Sequence, residues 1–235
     1  MQAYVKTDVG MVRSTNEDNY AVESNLFIVA DGMGGHAAGE IASEVAVSTI
    51  TNHCLDNRSE IHPCQLLEQA ILEANRLIYS KAQAVAEYAG MGTTVTAVIL
   101  QDSFIHWGHV GDSRLYYCCG GSLSQLTNDH SLVWELVKSG AITSEEAHNH
   151  PQRNMLTRAV GTSFTLRVET GSFEYAVGSR ILLCTDGLTS MVDDSELATM
   201  VKNYSLHGQA LVDALVSKAN RAGGHDNITL ILLEP

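Results

Sequence analysis

A chain of 235 residues with 45% hydrophobic content suits one globular domain, or two at most, and buries its core without disulfide staples. Its 14 Lys and Arg against 27 Asp and Glu leave a net charge of −13. That balance argues against nucleic acid or an anionic membrane as partner, because both require basic patches. The excess of acids is what a carboxylate cluster neutralised by bound cations would produce.

Five cysteines, Cys54, Cys64, Cys118, Cys119 and Cys184, form no Cys-x-x-Cys pair and are odd in number. They read as reduced thiols, mostly core fillers, of a cytoplasmic protein. The start Met1-Gln2-Ala3-Tyr4-Val5-Lys6 carries no basic-then-apolar leader, and no apolar run approaches the roughly 18 residues of a spanning helix. The Asn-x-Ser/Thr triplets at Asn57, Asn203 and Asn227 are then chance matches.

Residues 4 to 31 alternate strand-like pieces with a polar turn, Arg13 to Asn19. Leu26 to Ala30 has the length and composition of a buried strand, Asp31 ends it, and a glycine-rich turn leads to a helix starting near Gly39. Ile41, Ala42, Val45, Ala46 and Thr49 continue that helix to about Asn52. A second helix follows Pro63, with Leu66, Leu67, Ala70, Ile71, Ala74, Leu77, Ile78 and Val85 as its stripe, and ends near Ala89-Gly90. The period then shortens. Thr93 to Leu100, Phe104 to Val110, Arg114 to Cys118 and Ser122 to Leu126 read as strands, with hairpin turns at Gln101-Asp102 and Gly120-Gly121. Residues 127–165 are polar and weakly helical (Leu132 to Lys138, Ser144 to His148), the stretch least like a core. Strands resume at Leu166 to Glu169, Ser172 to Tyr175 and Arg180 to Thr185. Helices follow at about Ser195 to Asn203 and Gly208 to Arg221, with Asp193-Asp194 at a helix N-terminus, and a last strand runs Asn227 to Leu233. The pattern predicts an α+β fold with largely antiparallel sheets and helices on their outer faces.

Four acids stand at strand ends: Asp31, Asp112, Asp186 and Asp226. Each has a glycine beside it or, for Asp226, two residues before it; Glu17-Asp18 marks a further boundary. One Asp-Gly is an ordinary turn. Several carboxylates gathered without matching basic residues repel one another, and cations resolve that repulsion. About four to six carboxylates can hold two ions roughly 3.5–4 Å apart, the arrangement used to hydrolyse phosphorus esters with metal-activated water. An all-oxygen shell favours Mg²⁺ or Mn²⁺ over Zn²⁺. Arg13, four residues before Glu17, either forks onto two phosphoryl oxygens or is a solvated surface cation.

Seven motifs occur in order: Arg13-Ser14-Thr15-Asn16-Glu17-Asp18, Val29-Ala30-Asp31-Gly32-Met33-Gly34-Gly35-His36, Gly92-Thr93-Thr94, Gly108 to Arg114, Thr127 to Ser131, Leu183 to Leu188, and Gly224 to Thr229. Together they resemble the PPM family, the type 2C metal-dependent protein serine/threonine phosphatases, in its compact bacterial form. The resemblance covers nearly the whole chain. It implies a single catalytic domain, residues 1–235, built as a four-layer sandwich of two antiparallel β-sheets flanked by helix pairs on both outer faces. It also implies a flap at about 127–165. Asp31 would bridge two metals and the Gly32 carbonyl would bind one of them; Asp186 and Asp226 would complete the second metal's ligand set. Asp18, alone or with Glu17, would act through coordinated water, and Asp112 with Asp186 would form a third metal site. Arg13 would hold the substrate phosphate. Substrates would be phosphorylated proteins, countering a cognate Ser/Thr kinase, and the enzyme is expected to be a monomer. Many eukaryotic relatives place a His directly after the first Asp-Gly as the general acid; here that residue is Met33, so the role passes to His36 or to water on the third metal. Gly111-Asp112-Ser113 also resembles an esterase block, but no downstream Asp-x-x-His or Gly-x-Ser-x-Gly supports it. His148-Asn149-His150 reads as solvated or hydrogen-bonded side chains, and His106 and His109, on a strand, as packing or hydrogen-bonding ones.

Overall fold

A computed structural model describes residues 1–34, 38–57, 61–148 and 150–234, with the backbone alone at Ser144 and His148. The N-terminal half contains β1 (Gln2–Asp8), β2 (Asp18–Glu23), β3 (Leu26–Met33), α1 (Ala38–Asp56) and α2 (Pro63–Ala84). A 3₁₀ turn, Ala86–Tyr88, leads to β4 (Gly92–Thr93), β5 (Val95–Gln101), β6 (Phe104–Val110), β7 (Arg114–Cys119) and β8 (Ser122–Gln125). Two short helices, α3 (Leu132–Lys138) and α4 (Ser144–His148), precede β9 (Glu169–Glu174) and β10 (Arg180–Cys184). The chain closes with α5 (Asp186–Thr189), α6 (Asp194–Val201), α7 (Gly208–Arg221) and β11 (Ile228–Glu234).

Strand alternation sorts these elements into four layers. In β3, Leu26, Ile28 and Ala30 face α1 and α2, whereas Phe27 and Val29 face the other sheet. In β11, Leu230 and Leu232 pack toward α6 and α7, and Ile231 and Leu233 point between the sheets. Period-two alternation with both faces apolar describes a strand buried on both sides. One sheet has the order β1-β11-β10-β7-β8; the other runs β2-β3-β5-β6-β9, with β4 pairing the end of β3. The paired strands are antiparallel. Three apolar clusters fill the gaps between layers. Each fully buried Leu or Ile in them contributes about 1.5–3 kcal/mol of transfer free energy. The α+β four-layer sandwich is the architecture expected.

Several elements differ from expectation: α2 ends at Ala84 rather than near Ala89-Gly90, and the strand read from Thr93 to Leu100 is divided into β4 and β5. The strands read at Leu166–Glu169 and Ser172–Tyr175 are one strand, β9, which passes through Gly171. A Cβ at Gly171 would lie 2.2 Å from the Trp107 ring, so the missing side chain is what lets β6 and β9 pair continuously. The β5–β6 turn sits at Asp102-Ser103, with Asp102 at φ 54°, one residue later than its composition suggested. The helical turn α5 at Asp186 was not foreseen. The 127–165 stretch is pinned at several points: Ser131 pairs with Leu156, Thr93 with Val160, and the Asn75 amide holds Gly161 N at 2.7 Å and Ser163 O at 3.0 Å.

Candidate active site

The two sheets present their acid-bearing ends to one cleft of about 220 Å³. It is lined by Arg13, Glu17, Asp31, Gly32, Met33, Asp112, Asn154, Asp186 and Asp226 among others. Asp18 sits directly opposite Asp31 in the β2–β3 ladder, where facing side chains are close neighbours. Asp31 and Asp186 come within hydrogen-bonding reach although they arise from different sheets. The sequence therefore brings Asp18, Asp31, Asp112, Asp186 and Asp226 to one place, with Arg13 on its rim. His36 lies outside the described residues, so the structure assigns it no position.

Neighbouring backbone and neutral side chains hold these acids rigidly. Thr94 Oγ1 accepts from Asp31 N at 2.9 Å and lies 2.7 Å from the Ser113 hydroxyl. Ser113 is thereby buried in a structural contact, consistent with its rejection as a nucleophile. Thr185 Oγ1 donates to Asp18 Oδ2 at 2.9 Å. Asn227 fixes the polar loop before β2: its Oδ1 accepts from Glu17 N at 2.8 Å, and its Nδ2 donates to Val9 O and Thr15 O at 3.0 and 2.9 Å. Gly32 has a steric reason. A Cβ there would meet Gly39 O at 2.1 Å and Glu17 O at 2.5 Å, so only glycine lets β3 reach the start of α1.

The electrostatics are those of a site made for cations. Burial first, and then the charges of Asp18, Asp186 and Asp112, push the Asp31 carboxyl well above the usual range. Burial likewise raises Asp18 to about 7, with Asp186 and Asp226 adding to the rise and hydrogen bonds from Thr229 and Thr185 opposing it. Asp112 and Asp186 are raised by the same combination of burial and neighbouring acids. One carboxylate oxygen each of Asp18 and Asp186 is buried without a hydrogen-bond partner. A buried anionic oxygen left unpaired is costly, and a divalent ion is the partner such an all-carboxylate set fits. No three of these acids bring oxygens within 4.8 Å of one another, so they ring a cleft rather than cage one point. That spread suits two ions better than one. Arg13 donates to Asp226 Oδ2 at 2.8 Å and is half exposed. Asp226 foremost, outweighing burial, raises the Arg13 pKa further.

Residues 12–218 match the family Protein phosphatase 2C. The chain belongs to the protein phosphatase 2C family. It is 41% identical over 243 residues to a serine/threonine phosphatase Stp of Listeria welshimeri, covering 100% of this chain and 96% of that relative. The solved Mycobacterium tuberculosis phosphatase PstP/Ppp superposes with a TM-score of 0.92 at 34% identity, covering 99% of this chain and 97% of that one. The PstP catalytic domain solved in complex with two manganese ions gives a TM-score of 0.87 at 33% identity, covering 99% of this chain and 97% of that domain. This phosphatase is thus a metal-dependent phosphoprotein hydrolase, and among its described residues no helix is long and apolar enough to cross a membrane.

Beside the cleft, the phosphatase has a second cavity of about 460 Å³ that shares Asp112, Asn154 and Asp186 with it. Its wall comes from the 127–165 stretch, with Val133, Trp134, Val137 and Arg153. Arg114 closes its floor: it grips Asp129 through Nε at 3.0 and 3.1 Å and through Nη2 at 2.7 Å. Sequence reading missed Asn154, Leu156 and Trp134 as neighbours of the cleft. They lie in a polar stretch without periodicity, and their placement depends on the long-range contacts that pin residues 127–165. Thr94, Thr185 and Asn227 do fall inside the quoted motifs, but nothing local reveals which acids they support.

Proposed function

We propose that this phosphatase is a single catalytic domain, residues 1–235. It would hydrolyse phosphoserine and phosphothreonine in proteins, with Asp31, Asp186, Asp226 and the Gly32 carbonyl holding two Mn²⁺ or Mg²⁺ ions. Asp18 acts from the layer behind them. What carries this reading is the convergence of aspartates from separate strand ends: Asp31, Asp112, Asp186 and Asp226 line one cleft, Asp18 pairs with Asp31 in the β2–β3 ladder, and Asp18 and Asp186 each keep an unpaired buried oxygen. Bound there, the cations activate a water for attack on phosphorus and neutralise the charge that develops. The chain itself supplies placement. Arg13 spends one N–H on Asp226, leaving other guanidinium donors to fork onto two phosphoryl oxygens and align the ester. Protonating the departing serine or threonine oxygen falls to His36 or to solvent beside Asp112.

Residues flanking the phosphorylated side chain have a place in the larger cavity. Trp134, Val133 and Val137 give apolar surface there. The physiological counterpart is a cognate Ser/Thr kinase, and the enzyme acts as a monomer in the cytoplasm, where its cysteines stay reduced.

Phosphate release from a phosphothreonine peptide, measured with Mn²⁺ and with EDTA, tests the main claim; release that ignores the metal sinks it. A third ion at Asp112 and Asp186 predicts that Asp112→Ala lowers turnover and shifts the Mn²⁺ requirement upward. An unchanged Mn²⁺ titration would remove that ion from the scheme.

A further inference from the structure

One cluster of reactive side chains has no part in the phosphatase cleft. Among the described residues, His62, Cys64 and His106 are the one trio of metal-ligating types whose ligand atoms all lie within 4.8 Å of one another. His62 and Cys64 flank Pro63 at the first turn of α2, and His106 stands on β6 against them. Cys64 Sγ is 3.6 Å from His106 Nδ1 and donates to the Gly171 carbonyl at 3.2 Å. The two imidazoles meet edge to face, with ring centroids 5.3 Å apart.

We propose that His62, Cys64 and His106 form a Zn²⁺ site, with solvent as the fourth ligand, that clips the start of α2 to β6. A tetrahedral ion about 2.3 Å from sulfur and about 2.05 Å from nitrogen holds those two ligands about 3.5 Å apart. Cys64 and His106 already stand at that separation. His62 is exposed and caps the helix only through a long 3.4 Å contact from Cys64 N, so its ring is the one that closes onto the ion.

The chemistry of the trio selects the ion. One thiolate and two imidazoles suit Zn²⁺, and they suit the Mg²⁺ or Mn²⁺ of an all-carboxylate cleft poorly. Burial raises the Cys64 thiol, and burial with the neighbouring His62 lowers His106, while Asp102 pulls His106 the other way. In the metal-free protein the His106 imidazole therefore keeps a lone pair to offer. Ligation replaces the thiol proton now shared with Gly171, and that proton leaves to solvent. The site is remote from the reaction: His106 lies four strand residues, about 13 Å along β6, before Val110, beyond which the chain turns at Gly111 to Asp112. Its effect is mechanical, tying the helix layer to the β6–β9 edge.

The test uses the full chain with its cleft saturated by Mn²⁺ and titrated with Co²⁺ as a spectroscopic stand-in for zinc. The expected signal is a near-ultraviolet thiolate-to-cobalt absorption that saturates at one ion per chain and is displaced by Zn²⁺. An all-oxygen centre gives no such band. Cys64→Ser abolishes it, and His62→Gln, at an exposed position that leaves folding intact, weakens the ion about tenfold or more. Zn²⁺ raises the melting temperature of the wild type by a few degrees but not that of His62→Gln, whose Mn²⁺-supported phosphatase activity is unchanged. Absence of the band in the wild type overturns the proposal. So does its survival in Cys64→Ser, which would trace it to another thiol.

Discussion

At Asp31, burial and the charges of Asp18, Asp186 and Asp112 all oppose ionisation. A residue kept in that setting makes the metal-free protein less stable than it could be, a cost typical of a working site. Asp31→Asn removes one of the repelling charges at nearly constant volume. In EDTA this variant is expected to be more stable to heat than the wild type, by about 1 kcal/mol, while metal-dependent phosphate release disappears. Thermal unfolding in EDTA beside the peptide assay checks both halves; a variant destabilised in EDTA would mean that the acids are not strained. Arg13 is half exposed, so Arg13→Ala leaves the fold unchanged and is expected to raise KM, with Arg13→Lys restoring only part because an ammonium cannot fork. The charged residues of this site were legible one by one, as aspartates beside glycine at strand ends. Their supports were not. Asn227 Oδ1 receives the amide of Glu17 across 210 residues of chain, and Thr185 reaches Asp18 across 167, relations that exist only once the two sheets pack.

Among the elements, those with a strong period were readable and those whose shape depends on a neighbour were not. The stripe of α2 and the alternation of β5 and β11 declare themselves through Leu67, Ile71 and Ile78, and through Ile228 to Leu233. The unity of β9 depends on the Trp107 ring lying over Gly171, and α5 is four residues long, too short to show a period. The junction between β6 and the 127–165 stretch is a third case, and it carries a titratable group. His109 on β6 donates through Nε2 to the Asn128 carbonyl at 3.1 Å and lies 2.9 Å from the Thr96 hydroxyl through Nδ1. Its ring packs against His130, centroids 4.8 Å apart. Burial first, and His130 second, push it down to about 4, with Glu169 and Asp129 pulling the other way. The unfolded chain therefore takes up a proton below about pH 6.5 that the native His109 refuses until about 4. Over that window the native state loses stability as pH falls, by up to about 3 kcal/mol for a shift of this size. The stability difference between wild type and His109→Asn should shrink correspondingly from pH 7 to 4 in denaturant titrations. A difference independent of pH would show that His109 titrates normally.

For the whole molecule, the two acid-bearing sheet ends meet at one cleft because the sheets pack face to face, and a net charge of −13 has few cations inside the cleft to balance it. Binding of divalent ions is then linked to folding and to pH together. Asp18 in the metal-free native state ionises near 7 against an ordinary value of 3.8. The native protein holds a proton there that the unfolded chain has already released, so this group favours the fold at low pH and the benefit is lost as pH rises through about 7. Without metal, the melting temperature should fall between pH 6 and 8; His109 acts in the opposite sense but only below about 6.5. Mn²⁺ needs the carboxylates ionised, so its affinity climbs over the same interval. The rise in melting temperature produced by a fixed excess of Mn²⁺ should therefore be larger at pH 8 than at pH 6. Scanning calorimetry at both pH values, with Mn²⁺ and with EDTA, measures the four quantities. If the metal-free melting temperature is flat and the Mn²⁺ shift is equal at both pH values, the buried aspartates are not the ligands that couple metal to fold. If the shift grows with pH and Asp18→Asn flattens the EDTA curve, the same protons that strain the empty cleft are the ones the metal displaces.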